Sequence, residues 1–256
     1  MDAQELGFDL SGQVALVTAS GKGIGRACAT ALATAGANVA LGLRDGMGGR
    51  DLEADIEALG RRALRVQMNV SRMSEILDAV QKVEREFGRI DILVNNAGIG
   101  FPNPAEEVSE ADFDRTLSVN LKGTFFVSQA VAKVMIRQKR GRIINISSQA
   151  GIVALPTESV YCMTKAAVAH LTRCLALEWA PHGITVNAVA PTFVDTPGAH
   201  RWLQDKEFRQ SVIRRIPLGR VGDPIDVARP VVFLASPAAS MITGAILSID
   251  GGWTLA

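Results

Sequence analysis

The feature that most restricts this 256-residue chain is a short apolar run that empties into glycines. Gln13 to Thr18 reads Gln-Val-Ala-Leu-Val-Thr, too short for a helix, and Ala19-Ser20-Gly21-Lys22-Gly23-Ile24-Gly25 follows it. Small and apolar residues then recur at helical spacing from Ile24 to Ala35. Gly36 closes that run, and a second strand reads Asn38 to Leu43. A unit of strand, glycine turn, helix and strand buries its apolar faces by entering a parallel sheet through a right-handed crossover.

The alternation continues. Helices are predicted over 52–59 and 73–87, each followed by a strand, at 63–68 and 90–94. Two further helices, near 111–118 and 125–138, precede a strand at 142–146, and a long helix over 161–179 precedes a strand at 184–189. A last helix, 224–234, leads to a strand at 245–249. No repeat, low-complexity tract or linker divides the chain. One α/β domain over residues 1–256 is expected, a doubly wound (Rossmann) parallel sheet of about seven strands with helices on both faces. Residues 1–8 are expected to be flexible. Residues 192–217, where the rhythm breaks into a stretch carrying Trp202, Arg209, Arg214 and Arg215, are expected to form a substrate lid.

A net charge of +1 gives no basic excess for nucleic acid, and no apolar run reaches the roughly 18 residues of a membrane span. With no signal-like apolar stretch at the start, a cytoplasmic protein is expected. Cys28, Cys162 and Cys174 show no ligand spacing and read as small buried residues. His170, His182 and His200 likewise suggest no metal site.

Gly21, Gly23 and Gly25 offer what a pyrophosphate needs: backbone N–H groups at a helix N-terminus and no side chains where the backbone must approach. Downstream, Tyr161-Cys162-Met163-Thr164-Lys165 puts a phenol and an ammonium about one helical turn apart, where the cation can favour phenolate. The strand Arg142 to Ile146 delivers Ser147 and Ser148 to its C-terminal end, where open parallel sheets bind ligands.

Taken in order, Thr18 with Gly23 and Gly25, Asn95-Asn96-Ala97-Gly98, Asn120, Ser148, Tyr161 with Lys165, and Asp250-Gly251-Gly252 resemble the short-chain dehydrogenase/reductase family across nearly the whole chain. Three departures stand out: Ala19 replaces the first glycine of the turn, Thr192 replaces the glycine usual after Pro191, and Asn69 replaces an aspartate. The resemblance implies a catalytic set. Ser148 would hold the reacting oxygen and Tyr161 exchange its proton. Lys165 would lower the tyrosine pKa and hold the nicotinamide ribose, and Asn120 would support a water path. It also implies cofactor contacts from Thr18, Ser20, Gly21, Lys22, Gly23, Ile24, Gly25, Asn69, Val70, Asn96, Ala97, Gly98, Tyr161, Lys165, Pro191, Val194 and Thr196, and a homotetramer.

At the end of the second strand, where NAD-preferring members place a carboxylate, the chain has Leu43, and Arg44 follows. A guanidinium suits a 2′-phosphate, and Lys22 could add a second charge, so NADP(H) is favoured and NAD(H) is the alternative. The expected partner is a small alcohol or carbonyl substrate. The expected activity is alcohol–ketone interconversion, as a 3-oxoacyl-type or carbonyl reductase, with sugar or polyol oxidation as the alternative. A non-catalytic NADP-binding sensor is the rival of another class. Glu158 could hold a substrate hydroxyl or simply start a helix.

Overall fold

The computed structural model describes residues 7–46 and 48–255. Its centre is a seven-stranded, all-parallel sheet: β1 (Val14–Thr18), β2 (Asn38–Leu43), β3 (Ala63–Gln67), β4 (Ile92–Asn95), β5 (Gly141–Ile146), β6 (Ile184–Pro191) and β7 (Ile246–Ile249). The strand order is β3-β2-β1-β4-β5-β6-β7. Direction along the sheet reverses between β1 and β4, which register as Ala15 on Ile92, Leu16 on Leu93 and Val17 on Val94. In such sheets a crevice opens beyond the strand ends at that switch point.

Both faces are covered. Ala15 and Val17 point to α1 (Gly23–Thr34), α2 (Arg50–Ala58) and α9 (Pro224–Ala235), whose Cys28, Leu32, Leu52, Ile56, Val227 and Val231 fill one core. Val14 and Leu16 point the other way, to α3 (Met73–Phe87), α5 (Thr124–Gln138) and α6 (Ser159–Trp179), through Ile76, Val83, Val127, Val131 and Leu175. This period-two division explains why the inner strands β1, β2, β4, β5 and β6 are largely apolar and buried on both sides, whereas the edge strands β3 and β7 are only partly buried.

The expected gap between two helices after residue 118 is not a gap. α4 (Glu110–Leu117) runs into α5 through one π-helical turn, Ser118–Gly123. The wider turn sets Asn120 inward at 1% exposure. The stretch after β6 also holds more structure than its polar reading suggests, with α7 (His200–Leu203) and α8 (Lys206–Arg214) packed on a small cluster of Phe193, Leu203, Phe208, Val212 and Trp253. Of the N-terminal residues expected to be flexible, 1–6 lie outside the described set. Gly7 and Phe8 are docked instead: the Gly7 carbonyl accepts from Ala238 N at 3.1 Å, and the Phe8 ring lies 6.3 Å from that of Phe233.

The buried reading holds for Cys28, is partial for Cys162 and fails for Cys174, which is exposed on the outer face of α6. All three histidines are exposed. Among the described residues no group of three or more His, Cys, Asp or Glu side chains is placed to hold a metal, and no helix is long and apolar enough to cross a membrane.

Candidate active site

A cleft of about 590 Å³ opens at the C-terminal ends of β1, β4, β5 and β6. It runs without interruption from Ala19, Lys22, Gly23 and Ile24, past Asn96 and Gly98, to Ser148, Tyr161 and Lys165, and ends against Phe101, Leu155, Phe193 and Trp202.

At the glycine end the turn is held from behind. Thr18 is buried; its hydroxyl accepts from Asn96 N at 2.9 Å and Ala97 N at 3.0 Å, fixing the turn to the loop after β4. The Asn96 amide donates back to Thr18 O at 3.0 Å and Ala19 O at 3.2 Å. Gly25 packs so tightly on these groups that a Cβ there would lie 2.4 Å from Asn96 Nδ2 and 2.5 Å from Ala19 O. Ser20 is fully buried and turned to Gly42 O. Thr18 and Ser20, both expected as cofactor contacts, therefore build the turn from inside and do not line the cleft. Ala19, in place of a glycine, adopts φ 51°, a left-handed conformation that costs an L-residue about 1–2 kcal/mol.

α1 starts at Lys22 with no side-chain cap and no acidic residue in its first turn. Its leading N–H groups and the positive end of its dipole therefore remain available to an anion. At the far end, Thr192 Oγ1 is buried with no hydrogen-bond partner, beside Pro191 and Val194. A glycine-floored, uncapped helix start joined by one cleft to an orphaned buried hydroxyl fits a dinucleotide whose pyrophosphate sits at one end and whose polar nicotinamide amide sits at the other. Leu43, at 4% exposure, packs against Gly21 and offers no polar group, whereas Arg44 and Lys22 are exposed around the turn. Asn69 stands apart: its side-chain oxygen already accepts from Ser71 N at 3.1 Å and Ser71 Oγ at 2.8 Å. Val70 packs beneath Gly123, and neither residue lines the cleft.

At the chemical end, Ser147 and Ser148 diverge. Ser147 Oγ donates to Lys165 O at 2.9 Å and ties β5 to α6. Ser148 Oγ accepts from Ala150 N at 3.1 Å, donates to Pro191 O at 3.5 Å, and lines the cleft with Tyr161. Burial pushes the Tyr161 phenol up to about 12; the nearby Ser148 hydroxyl pulls it down and the Glu158 charge pushes it further up. Lys165 Nζ lies 5.5 Å from the Tyr161 ring centroid and donates to Ile146 O at 2.8 Å. At 4% exposure its ammonium is pushed down to about 8 by burial. The Asn120 amide is fully engaged: Oδ1 accepts from Ile99 N at 2.9 Å, and Nδ2 donates to Ile99 O at 2.8 Å and Thr164 Oγ1 at 3.0 Å. Its carbonyl accepts from Thr124 Oγ1 at 2.7 Å. The four residues of the expected catalytic set are thus brought together, on β5's end, α6 and the π-helical turn.

These observations agree with what the chain is similar to. A family model described as enoyl-(acyl carrier protein) reductase, of the short-chain type, matches residues 18–254. The protein belongs to the short-chain dehydrogenase/reductase family. As a member of it, the chain is an NAD(P)-dependent oxidoreductase that interconverts an alcohol and a carbonyl group. It is 43% identical to the D-threitol dehydrogenase of Mycolicibacterium smegmatis over 99% of this chain and 98% of that one. It is 41% identical to the 3-oxoacyl-[acyl-carrier-protein] reductase of Thermotoga maritima, over 95% and 98%. Among solved structures, the gluconate 5-dehydrogenase of Burkholderia cenocepacia, in complex with NADP and tartrate, superposes with a TM-score of 0.95 at 37% identity, covering 98% of this chain and 99% of that one.

A buried amide chain behind this dehydrogenase/reductase site extends from the Asn95 of a sequence motif to residues that no motif marks. Asn95 Nδ2 donates to Ser128 Oγ and to Asn145 Oδ1, both at 2.8 Å, and Asn145 Nδ2 donates to Thr172 Oγ1 at 2.9 Å. It links β4, β5, α5 and α6: α6 carries Tyr161, β5 leads to Ser148, and α5 continues from the π-helical turn of Asn120. Its signal in the sequence is an asparagine inside each of two apolar strands, a placement tolerated only when the amide finds partners. Of the described side chains in the stretch after β6, Arg209, Arg214 and Arg215 do not line the cleft. Arg209 pairs with Asp195 at 3.4 Å, and Arg215 stacks 4.3 Å over Trp253.

Proposed function

We propose that the protein oxidises small polyols, and reduces the corresponding ketoses, with NADP(H), using Tyr161 as the acid and base. The observation that carries this is that Ser148, Tyr161 and Lys165 line the same cleft as the glycine turn, with Lys165 buried beside the tyrosine ring. The bound nicotinamide supplies or accepts the hydride. Ser148 orients the reacting oxygen by a hydrogen bond. The Tyr161 phenol, protonated at neutral pH, gives its proton to that oxygen in reduction and recovers it in oxidation. Lys165 is largely cationic at pH 7 with a pKa of about 8, and its charge favours the phenolate that oxidation requires. Asn120 acts by position: through Ile99 and Thr164 it fixes the loop after β4 against α6.

Lys22 and Arg44 support a preference for NADP(H), since two exposed cations and the apolar Leu43 suit a 2′-phosphate better than a bare ribose. Lys22, Gly23, Ile24, Asn96, Gly98, Pro191, Val194 and Thr196 line the cleft as cofactor contacts. Residues 192–217 serve as the substrate lid, with Phe193 and Trp202 at its inner surface. The apolar wall of Phe101, Leu155, Phe193 and Trp202 also supports a second reading, reduction of a 3-oxoacyl thioester. Leu177, 80% exposed on α6, supports a homotetramer joined through the long helices, and free cysteines suit the cytoplasm.

The direct experiment is Tyr161→Phe. Turnover is expected to fall by about 10²–10⁴ with NADPH affinity retained, since only the titrating oxygen is lost. Undiminished turnover would refute the assignment.

A further inference from the structure

The groups assigned to the reacting oxygen leave Gln149 unexplained. It follows Ser148 directly and opens a short 3₁₀ turn, Gln149–Gly151. That turn is fixed by backbone bonds: the Gln149 carbonyl accepts from Ile152 N at 2.8 Å and from Val153 N at 2.9 Å. The residue is 3% exposed and lines the cleft with Ser148, Leu155 and Tyr161. Among the described residues its side-chain amide has no hydrogen-bond partner, yet it is not among the fully enclosed orphans, which are Thr185 Oγ1, Thr192 Oγ1 and Trp253 Nε1. The amide therefore opens onto the cleft. Other amides in this chain are paired. Asn120 is fully engaged, and Gln138 accepts from Ile90 N at 3.0 Å and donates to Ile90 O at 2.9 Å. A buried amide left unpaired is costly, and the missing partners of Gln149 can come only from what the cleft holds.

We infer that Gln149 hydrogen-bonds the substrate hydroxyl on the carbon next to the reacting one, and so selects vicinal diols over simple alcohols. This rests on the polyol reading above and names the part of the polyol that is read. A carboxamide offers two donors and an acceptor, and a hydroxyl both gives and takes a hydrogen bond. The match needs no charge, and it holds equally for the diol and for the hydroxyketone that the diol becomes. Ser148 and Gln149 stand one Cα–Cα step apart, about 3.8 Å, so a substrate held at Ser148 presents its neighbouring carbons within reach of the amide. Leu155, Phe101 and Phe193 at the same end offer such a hydroxyl nothing. An analogue that lacks it is disfavoured twice over, because it forgoes the bond and displaces the water that would otherwise satisfy the amide.

The test compares NADP⁺-dependent oxidation of the stereoisomers of 2,3-butanediol with that of the enantiomers of 2-butanol, which share a carbon skeleton and differ by one hydroxyl. It is run on the wild type, Gln149→Met and Gln149→Leu, alongside polyols from glycerol to the hexitols and NADPH-dependent reduction of a 3-oxoacyl thioester. NADPH titration of each variant reports whether fold and cofactor site are intact. The wild type is expected to favour the best diol over the best simple alcohol by about tenfold or more in kcat/KM. In both variants that ratio should fall about tenfold or more, mainly through KM for the diol. A wild type that oxidises 2-butanol as well as any diol would overturn the inference with no variant needed. So would a ratio that neither variant changes, and if polyols are still oxidised the polyol reading survives that loss. If no diol or polyol is oxidised while the thioester is reduced, the polyol reading itself fails and the assignment of Gln149 falls with it.

Discussion

Replacing Lys165 by methionine should make the protein more stable at neutral pH and nearly inactive. The lysine is 4% exposed, and burial drives its pKa from 10.5 to about 8. At about 1.4 kcal/mol for each tenfold change in proton affinity, holding the charged form in this site costs the folded state about 3 kcal/mol. Methionine has similar length and no charge. It forfeits the bond to Ile146 O, a loss of about 1 kcal/mol, which leaves a net gain of about 2 kcal/mol at pH 7. The pH dependence carries the sharper signature. Because the folded pKa lies below the unfolded one, the wild type recovers the full 3 kcal/mol only above about pH 10.5 and loses it as pH falls through about 8. The variant's advantage should therefore shrink from pH 8 upward and reverse sign at about pH 9.5, once the wild type has recovered about 2 kcal/mol. Urea unfolding of both proteins at matched concentration, from pH 7 to pH 10.5, measures the difference. Cys28, whose thiol burial pushes up to about 12, titrates in the same range but is common to both and cancels. A difference that stays flat with pH, or a variant less stable at pH 7, would refute the account of Lys165 as a buried charge retained for function.

Two further outcomes follow from other parts of the structure. Arg44→Ala should weaken NADPH binding by about tenfold or more while leaving NADH binding nearly unchanged, as read by nicotinamide fluorescence; equal losses for both cofactors would remove the 2′-phosphate reading. Asn145→Ala should destabilise the protein by about 2–4 kcal/mol, since it opens a cavity at a fully buried site and breaks the bonds to Asn95 and Thr172; thermal unfolding within about 1 °C of the wild type would show the chain of amides to be dispensable.

The layout of the sheet is legible in the sequence because its inner strands are buried on both faces and therefore stand out as compact apolar runs between helical periods. Even α3 falls on the predicted residues 73–87. What pattern alone could not resolve is what happens where a side chain overrides propensity. The residues 118–123 read as a break between helices, yet Asn120 finds two partners on Ile99 and one on Thr164, and these bonds hold a π-helical turn that no periodicity announces. The polar stretch after β6 misled in the opposite direction. Its arginines mask Phe193, Leu203, Phe208 and Val212, which form a small core with the distant Trp253 once the chain folds.

The same distinction separates the two kinds of residue in the candidate site. Tyr161 and Lys165 share a helix, and Ser148 ends a strand, so one-dimensional spacing is enough to bring them together. Thr18 and Ser20 sit beside the glycines in sequence, but the turn folds their hydroxyls inward, to Ala97 N and Gly42 O, and not toward the cleft. Asn69 has its acceptor taken by Ser71 two residues on. Position in a motif thus identifies which residues surround a cofactor, while the direction of each side chain depends on backbone partners that appear only in three dimensions. Glu158 is the converse case. It belongs to no motif and was equally readable as a helix-start carboxylate, and only the approach of Gly100 to both Oε2 and the tyrosine ring places its charge beside the reacting phenol. Specificity in such a fold is therefore to be sought among the side chains that flank the shared machinery, because the scaffold fixes where the hydride moves and leaves the rest of the substrate to be read by individual side chains.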